Sequence, residues 1–483
     1  MGNNQYETEL SSWISKEKSA IELINIVGQL AYEKSVELII FRKQLLNASP
    51  GEILKHHLYA RNIIQKEITI DLTLALSIAI TKIEVAPSRI DLGRLCNEWY
   101  NEASNYNNDH DAFVADKLKD CVGLEKMDLK PRDVVLYGFG RIGRLAAREL
   151  INQAGNGNQL RFRAIVTRST SPEDIKKRAD LLRNDSIHGP FKGTIVEDIE
   201  NQALIINGQT VKMLAAKSPT DIDYTEYGIS NALVIDNTGA WRDREGLGQH
   251  LKAKGIGQVL LTAPGKDDIP NIVYGVNDHE MKKDETILSA ASCTTNAISP
   301  VLKIIKEQYG IISGHIETVH AYTNDQNLAD NFHSKSRRGR AAAMNMVITE
   351  TGAAKAVSKV LPELAGILTG NAVRVPTPDV SLAILHLNLK KESSLEEINA
   401  SLKSASLFGN MVDQIEFSIS NELVSTDIVG NSHASVVDGP ATIMANDKKS
   451  VVLYVWYDNE YGYTRQVIRV AKKASGVRRL RYY

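Results

Sequence analysis

The chain of 483 residues carries 57 lysines and arginines against 58 aspartates and glutamates, a net charge of −1 with histidines neutral. That balance gives no reason to expect nucleic acid or a membrane surface as partner, and 43% hydrophobic with 24% charged residues is ordinary for a soluble globular protein of about three domains. Three scattered cysteines exclude a disulfide framework, the start MGNNQYETELSSW has no signal core, and the most apolar stretch, 68–83, is broken by Asp71 and Lys82, so a cytoplasmic protein is expected.

Up to about residue 128 glycine and proline are scarce and apolar residues recur at helical spacing. Val27, Leu30, Ala31, Leu38, Phe41 and Leu45 form one stripe. Ser49-Pro50-Gly51-Glu52 is a helix start with a capping serine, an early proline and a glutamate placed to reach back, and Ser88 with Asp91 repeats the idea after Pro87. The reading is an all-α domain of four or five helices over 10–125, with a linker at 125–132. His56 and His57 are adjacent on a helical run and point in different directions, which does not make a metal site.

After the linker the pattern is strand, glycine turn, helix, strand, as in a parallel sheet with crossover helices. Strands are expected at 133–137, 162–167, 232–235 and 259–262, and helices at 144–154 and 464–474. From Cys293 the strands lengthen and alternate, as at 451–456. Gly138-Phe139-Gly140-Arg141-Ile142-Gly143 lies between the first strand and the first helix, the context in which G-x-G-x-x-G holds a dinucleotide pyrophosphate at a helix N-terminus. The acidic residue expected about 20 positions on, to hold the adenosine ribose, is missing. The second strand ends in Thr167-Arg168, and Arg168 can pair with a 2′-phosphate or be a plain surface charge. The reading leans to NADP, or use of both dinucleotides, over strict NAD.

Ala291-Ser292-Cys293-Thr294-Thr295-Asn296 places a lone cysteine among small hydroxyl residues at a helix entrance, where N–H dipoles favour a thiolate. Alone, this pattern fits a buried structural cysteine equally well. A nucleophile needs a base, and His320, at the end of an apolar strand, is a candidate. Arg337, Arg338 and Arg340 read by themselves as a solvated basic run.

Taken in order, GFGRIGR, ASCTTN, HAYT, RRGRAAA, TGAAKAV, VLPEL, RVPTPDVS and WYDNEYGY resemble the glyceraldehyde-3-phosphate dehydrogenases over roughly residues 130–475. The resemblance implies Cys293 as nucleophile and His320 as its base, acting through a thioester that inorganic phosphate cleaves to 1,3-bisphosphoglycerate. It implies that Thr323 and Arg374 hold the substrate phosphate, with Ser292, Thr294, Arg338, Thr351 and Gly352 around the attacking phosphate. Asn459 is implied to bond the nicotinamide carboxamide, and Thr238, Gly239 and Thr262 to line the cofactor groove. The implied assembly is a homotetramer.

The expected organisation is therefore a helical extension at 1–128, a Rossmann-type domain at 129–292, an α/β catalytic domain with an antiparallel sheet at 293–456, and a helix at 457–483 returning to the dinucleotide domain. Besides the missing ribose acid, the chain departs from the family at Tyr137, where asparagine is usual, and in the loop after His320, which is a residue shorter and lacks the usual Gly-Pro. An erythrose-4-phosphate dehydrogenase, whose acyl-enzyme is hydrolysed, and an inactive cofactor-binding regulatory protein are the alternatives.

Overall fold

The computed structural model describes residues 2–127 and 129–483 and divides into two compact units. Asp128, in the expected linker, lies outside the described residues. No helix among the described residues is long and apolar enough to cross a membrane.

The first unit comprises residues up to 131 together with 154–159 and 476–483. Its helices are Gly2–Glu33, Pro50–Ile64, Ile70–Thr81, Leu92–Glu102 and His110–Lys117. They share a core that includes Leu23, Val27, Leu30, Ile53, Leu76, Ile80, Leu95 and Phe113. Ser49 caps the second helix in the expected box, its Oγ accepting from Glu52 N and its own N–H donating to the Glu52 carboxylate. The unit is not all-α, however. Ser35 turns left-handed (φ 57°) after the first helix, and Glu37–Ile40 becomes a strand. Lys43–Gln44, Glu37–Ile40, Ser88–Asp91 and Leu480–Tyr482 then form a four-stranded sheet in that order. The stripe running on through Leu38, Phe41 and Leu45 thus merges two structures, because steps of three, four and seven also occur by chance across a short strand and its turn. Ser88 opens a strand rather than a helix, and the cap is Asp91, whose carboxylate accepts from the N–H groups of Gly93 and Arg94.

Asp91 is fully buried and does more than cap. The hairpin turn between Glu37–Ile40 and Lys43–Gln44 has positive φ at both Phe41 (41°) and Arg42 (73°), a costly geometry for side chains of that size. Phe41 N–H donates to Asp91 Oδ1 at 2.9 Å and the Arg42 guanidinium pairs with Oδ2, so one carboxylate holds the strained turn and starts the next helix.

The second unit is built on two eight-stranded sheets of different character. In the dinucleotide half the order is Ile287–Ser289, Ile256–Leu261, Ala232–Asp236, Arg132–Tyr137, Leu160–Thr167, Gln209–Ala215, Ala203–Ile206 and Ile195–Asp198. The first six strands are parallel and the last two pairings antiparallel. Chain order reverses direction at Arg132–Tyr137, so a crevice opens beyond its carboxyl end, where such sheets bind ligands. The helix Arg141–Asn152 starts there.

The catalytic sheet runs Val347–Glu350, Leu368–Val375, Ile311–Ala321, Ser381–Leu389, Ser450–Tyr457, Ser435–Asp438 and Ile415–Ser418. It is antiparallel except where Leu368–Val375 meets Ile311–Ala321 and Ser435–Asp438 meets Ile415–Ser418, so the expected antiparallel sheet is a mixed one. Alternate residues such as Leu385, Leu387, Leu453 and Val455 face the helices Cys293–Tyr309 and Leu395–Leu407, packing on Ile298, Val301, Leu302, Ile398 and Leu402. The helix Tyr461–Ala474 lies on Arg141–Asn152, where buried Arg465 pairs with buried Glu149 and Tyr461 Oη donates to Glu149.

Asp91→Ala removes the partner of a buried arginine, the support of the strained turn and a helix cap together. Denaturant unfolding should show a loss of about 3 kcal/mol or more, and a loss below about 1 kcal/mol would mean that the turn stands without it.

Candidate active site

The glycine turn is shaped as a dinucleotide cradle. Gly138 has φ 89°, and its N–H donates to Val166 O at 2.9 Å. A Cβ on Gly138 would sit 2.9 Å from Thr238 Cγ2, and one on Gly143 would sit 2.5 Å from Gly138 O, so neither position accepts a side chain without displacement. Gly140 precedes the helix without any side-chain cap, leaving the first N–H groups for an anion. Beyond the turn lies a cleft of about 410 Å³ lined by Gly138, Phe139, Gly140, Thr167, Arg168 and Thr238, among others. Asp236, fully buried, fixes the Thr238 turn by accepting from its N–H and hydroxyl, both at 2.7 Å, and from His250 Nε2 at 3.0 Å.

Some expected cofactor residues sit otherwise. The Arg141 side chain is engaged by Glu460 and by Asp185 at 3.4 Å, so only its backbone belongs to the helix start, as with Ile142. Thr262 is tied to Asp236 O at 3.0 Å, and Gly239 (φ 64°) shapes the turn beside Thr238. Tyr137 is buried, its ring edge-on to His250 at 4.7 Å, and burial with nearby Asp236 pushes its hydroxyl up to about 12. Two cations missed in the sequence, Arg178 and Lys217, also line the cleft. Lys217 is found there because Ala215 pairs in register with Thr167; a basic residue just past the apolar run ending at Ala216 was the available signal.

Cys293 opens the helix Cys293–Tyr309 behind Ser292, whose Oγ accepts from Thr295 N at 3.0 Å. Asn296 Nδ2 donates to Ala290 O and Ser292 O and braces the turn, in which Ala291 adopts φ 56°. Cys293 Sγ lies 3.6 Å from His320 Nε2. His320 and Arg374 are register neighbours on parallel strands, and Arg374 Nη1 lies 2.8 Å from both Ala321 O and His320 Nδ1. His320 Nδ1 is also 2.7 Å from Ala321 O. We assign the proton to Nδ1, donating to that carbonyl, which leaves the Nε2 lone pair facing the thiol.

Burial is the largest influence on both groups. It raises the Cys293 thiol, against the pull of Arg374, and with Arg374 it pushes His320 down to about 3. The resting pair is therefore a neutral thiol beside a neutral imidazole, able to exchange a proton as an electrophile is attacked.

Around this pair, Thr294 Oγ1 contacts Tyr457 Oη at 2.9 Å, and the Tyr457 ring stands edge-on to His320. Arg338 acts on His320 through its charge, yet its guanidinium is held by Asp325 and by Thr349 Oγ1 at 3.2 Å. A phosphate there has to compete with Asp325, a carboxylate the sequence reading did not anticipate. Gly352 precedes the helix Ala353–Val360, with Thr351 Oγ1 accepting from Ala353 N. Thr323 is half-buried in the loop after His320.

Asn459 is buried, and its Oδ1 accepts from Ser381 Oγ at 2.7 Å, while Ser381 Oγ also accepts from Ala321 N at 3.1 Å. One hydroxyl thus joins the amide to the strand that carries His320. The flanking residues anchor the loop. Glu460 pairs with Arg141, and Asp458 accepts from Glu460 N, Tyr461 N and Gly430 N and lies 3.3 Å from His188 Nε2. His188 is equally 3.3 Å from Asp379. Burial would lower His188, but Asp379 and Asp458 outweigh it and hold it up at about 10, while burial and Asp458 raise Asp379 to about 6.

Residues 132–244 match the family model described as glyceraldehyde 3-phosphate dehydrogenase, NAD binding domain, and residues 292–459 match its C-terminal domain. A "Glyceraldehyde-3-phosphate dehydrogenase-like protein" of Pseudomonas aeruginosa is 51% identical over 94% of this chain and 98% of its own length. The chain belongs to the glyceraldehyde-3-phosphate dehydrogenase family. It is a dinucleotide-dependent oxidoreductase with a cradle whose glycines fit the cofactor that family model describes. "Glyceraldehyde-3-phosphate dehydrogenase A, chloroplastic" of Zea mays is 41% identical over 70% of this chain and 81% of its own length. The enzyme of Zymomonas mobilis is 38% identical, again over 70% of this chain, and 97% of its own length. At 94% coverage the Pseudomonas match necessarily takes in much of the N-terminal unit, beyond the 70% shared with the other two.

His320→Asn leaves a smaller neutral amide that cannot take the thiol proton, and should cost on the order of 10²–10⁴ in turnover with folding intact; a loss under about tenfold would remove His320 from the proton transfer. His188 is raised in the folded state, so its contribution to stability is full below the unfolded value of 6.5 and fades as pH climbs to about 10. Thermal unfolding of His188→Gln should therefore fall furthest below the parent near pH 6, with the gap closing toward pH 10.

Proposed function

We propose that the enzyme oxidises D-glyceraldehyde 3-phosphate with capture of inorganic phosphate, giving 1,3-bisphosphoglycerate reversibly. The observation that carries this reading is the conjunction of Cys293 Sγ 3.6 Å from His320 Nε2 with Arg374 in register beside it. Cys293 gives its proton to His320 as sulfur bonds to the aldehyde carbon, and the oxyanion formed lies at the start of the helix Cys293–Tyr309, whose N–H groups stabilise it. A dinucleotide held at the turn of Gly138, Gly140 and Gly143 would supply the acceptor for the hydride of that carbon. The Cys293 thioester that results keeps the oxidation energy, and phosphate oxygen displaces the thiolate, which recovers its proton from His320. Arg374 and Thr323 hold the substrate phosphate in this reading, and Ser292, Thr294, Thr351, Gly352 and Arg338 receive the attacking one. Asn459 fixes the carboxamide of the nicotinamide, and Thr262 with Thr238-Gly239 lines its groove. A homotetramer belongs to the same proposal.

NADP is the preferred cofactor in this reading, with NAD as a second substrate. The cleft-lining residues include no carboxylate and three cations, Arg168, Arg178 and Lys217, which this reading sets beside the adenosine ribose. Arg178 Nε is buried without a hydrogen-bond partner, a cost that a bound phosphate would offset.

Initial rates with glyceraldehyde 3-phosphate, NAD against NADP, each with and without inorganic phosphate, test the reading. Reduction that needs phosphate is expected, with the lower KM for NADP and a rise of about tenfold in that KM alone in Arg178→Ala. Reduction of erythrose 4-phosphate without phosphate would favour the hydrolytic alternative. No reduction of either dinucleotide by a folded enzyme with a free thiol would favour an inactive regulatory protein.

A further inference from the structure

The helix Gly2–Glu33 has two different halves. From residue 20 onward Ala20, Leu23, Val27, Leu30 and Ala31 are buried in the core of the first unit. Residues 5–16, by contrast, are all exposed. Tyr6, Leu10, Trp13, Ile14 and Ile21 are 66%, 40%, 49%, 43% and 50% exposed. At about 100° per residue they fall within an arc of roughly 100°, a quarter-turn or so away from the buried face. An apolar stripe on a helix face, interrupted by Glu17 and packed against nothing in the hydrophobic core of the first unit among the described residues, is an association surface.

The charges beside the stripe say what covers it. Glu9 and Lys16 lie on one flank and Glu7 and Lys18 on the other. If the partner is a second copy running antiparallel about a two-fold axis midway between Ser12 and Trp13, each flank meets its own kind. Glu9 then faces Lys16 of the second copy and Glu7 faces Lys18. A parallel partner would instead set Glu7 against Glu9 and Lys16 against Lys18, which repels. We propose that residues 6–21 form an antiparallel two-helix interface with the same segment of a second copy of this chain. The stripe supplies the attraction, with Leu10 of one helix seated beside Trp13 of the other, and the ion pairs fix direction.

The test uses the full chain, with dehydrogenase activity as the control for folding. Leu10→Glu combined with Trp13→Glu should weaken association about tenfold or more in sedimentation equilibrium. E7K/E9K and K16E/K18E should each weaken it, and an equimolar mixture of those two variants should restore it, because a wholly positive flank then meets a wholly negative one. Because the catalytic half may carry self-association surfaces of its own, a covalent readout accompanies these. L10C/W13C, oxidised, should give cross-linked pairs of chains on a denaturing gel, and adding E7K/E9K should abolish them. Unchanged mass in the Leu10/Trp13 variant together with no cross-linking overturns the proposal. Association that E7K/E9K leaves intact overturns the antiparallel arrangement. Binding to anionic phospholipid vesicles that L10E/W13E removes, with no self-association, would assign the stripe to a membrane surface instead.

Discussion

The catalytic geometry depends on one short loop, Asp458-Asn459-Glu460, held between buried charges of both halves of the second unit. Arg141, from the glycine turn, takes Glu460, and His188, from the hairpin after the helix Pro172–Arg183, lies between Asp458 and Asp379. Asn459 in the middle is joined through Ser381 to the strand bearing His320. Buried ion pairs add little net stability, since desolvation consumes most of the attraction, but they tolerate only one geometry. Here that geometry ties the helix that follows the glycine turn to the strand that carries His320.

The site itself is a case of strand register producing chemistry. His320 lies near the end of one strand and Arg374 near the end of its parallel neighbour, 54 positions on, so the imidazole and the guanidinium stand side by side. The thiol approaches from a helix N-terminus. Burial disfavours charge on thiol and imidazole alike, while the charge of Arg374 favours a thiolate at Cys293 and opposes a cation on His320.

What was legible in the sequence was local. The Ser49 capping box, the glycine turn and the cysteine at a helix entrance each declare themselves within six residues, and each is found where expected. What was not legible depends on partners far apart. The small sheet of the first unit is made of segments near 37, 43, 88 and 480, each two to four residues long, too short to show a period. Asp325 holding Arg338, and Arg178 with Lys217 lining the cleft, follow from how loops and the helix Pro172–Arg183 pack over strand ends, which no spacing encodes. Tyr137 was visible as an anomaly, but its packing against His250 came only with the fold.

The strand Leu480–Tyr482 pairs with Ser88–Ile90, so the first unit is closed by the C-terminal segment. On the ribosome this inverts the usual order, in which the leading domain folds first. Here the leading helices emerge early but wait for a strand made more than three hundred residues later, with the edge of Ser88–Asp91 unpaired throughout. The whole enzymatic half is synthesised before the leading unit can close, so a chain cut short near its end carries an open edge as well as a missing tail.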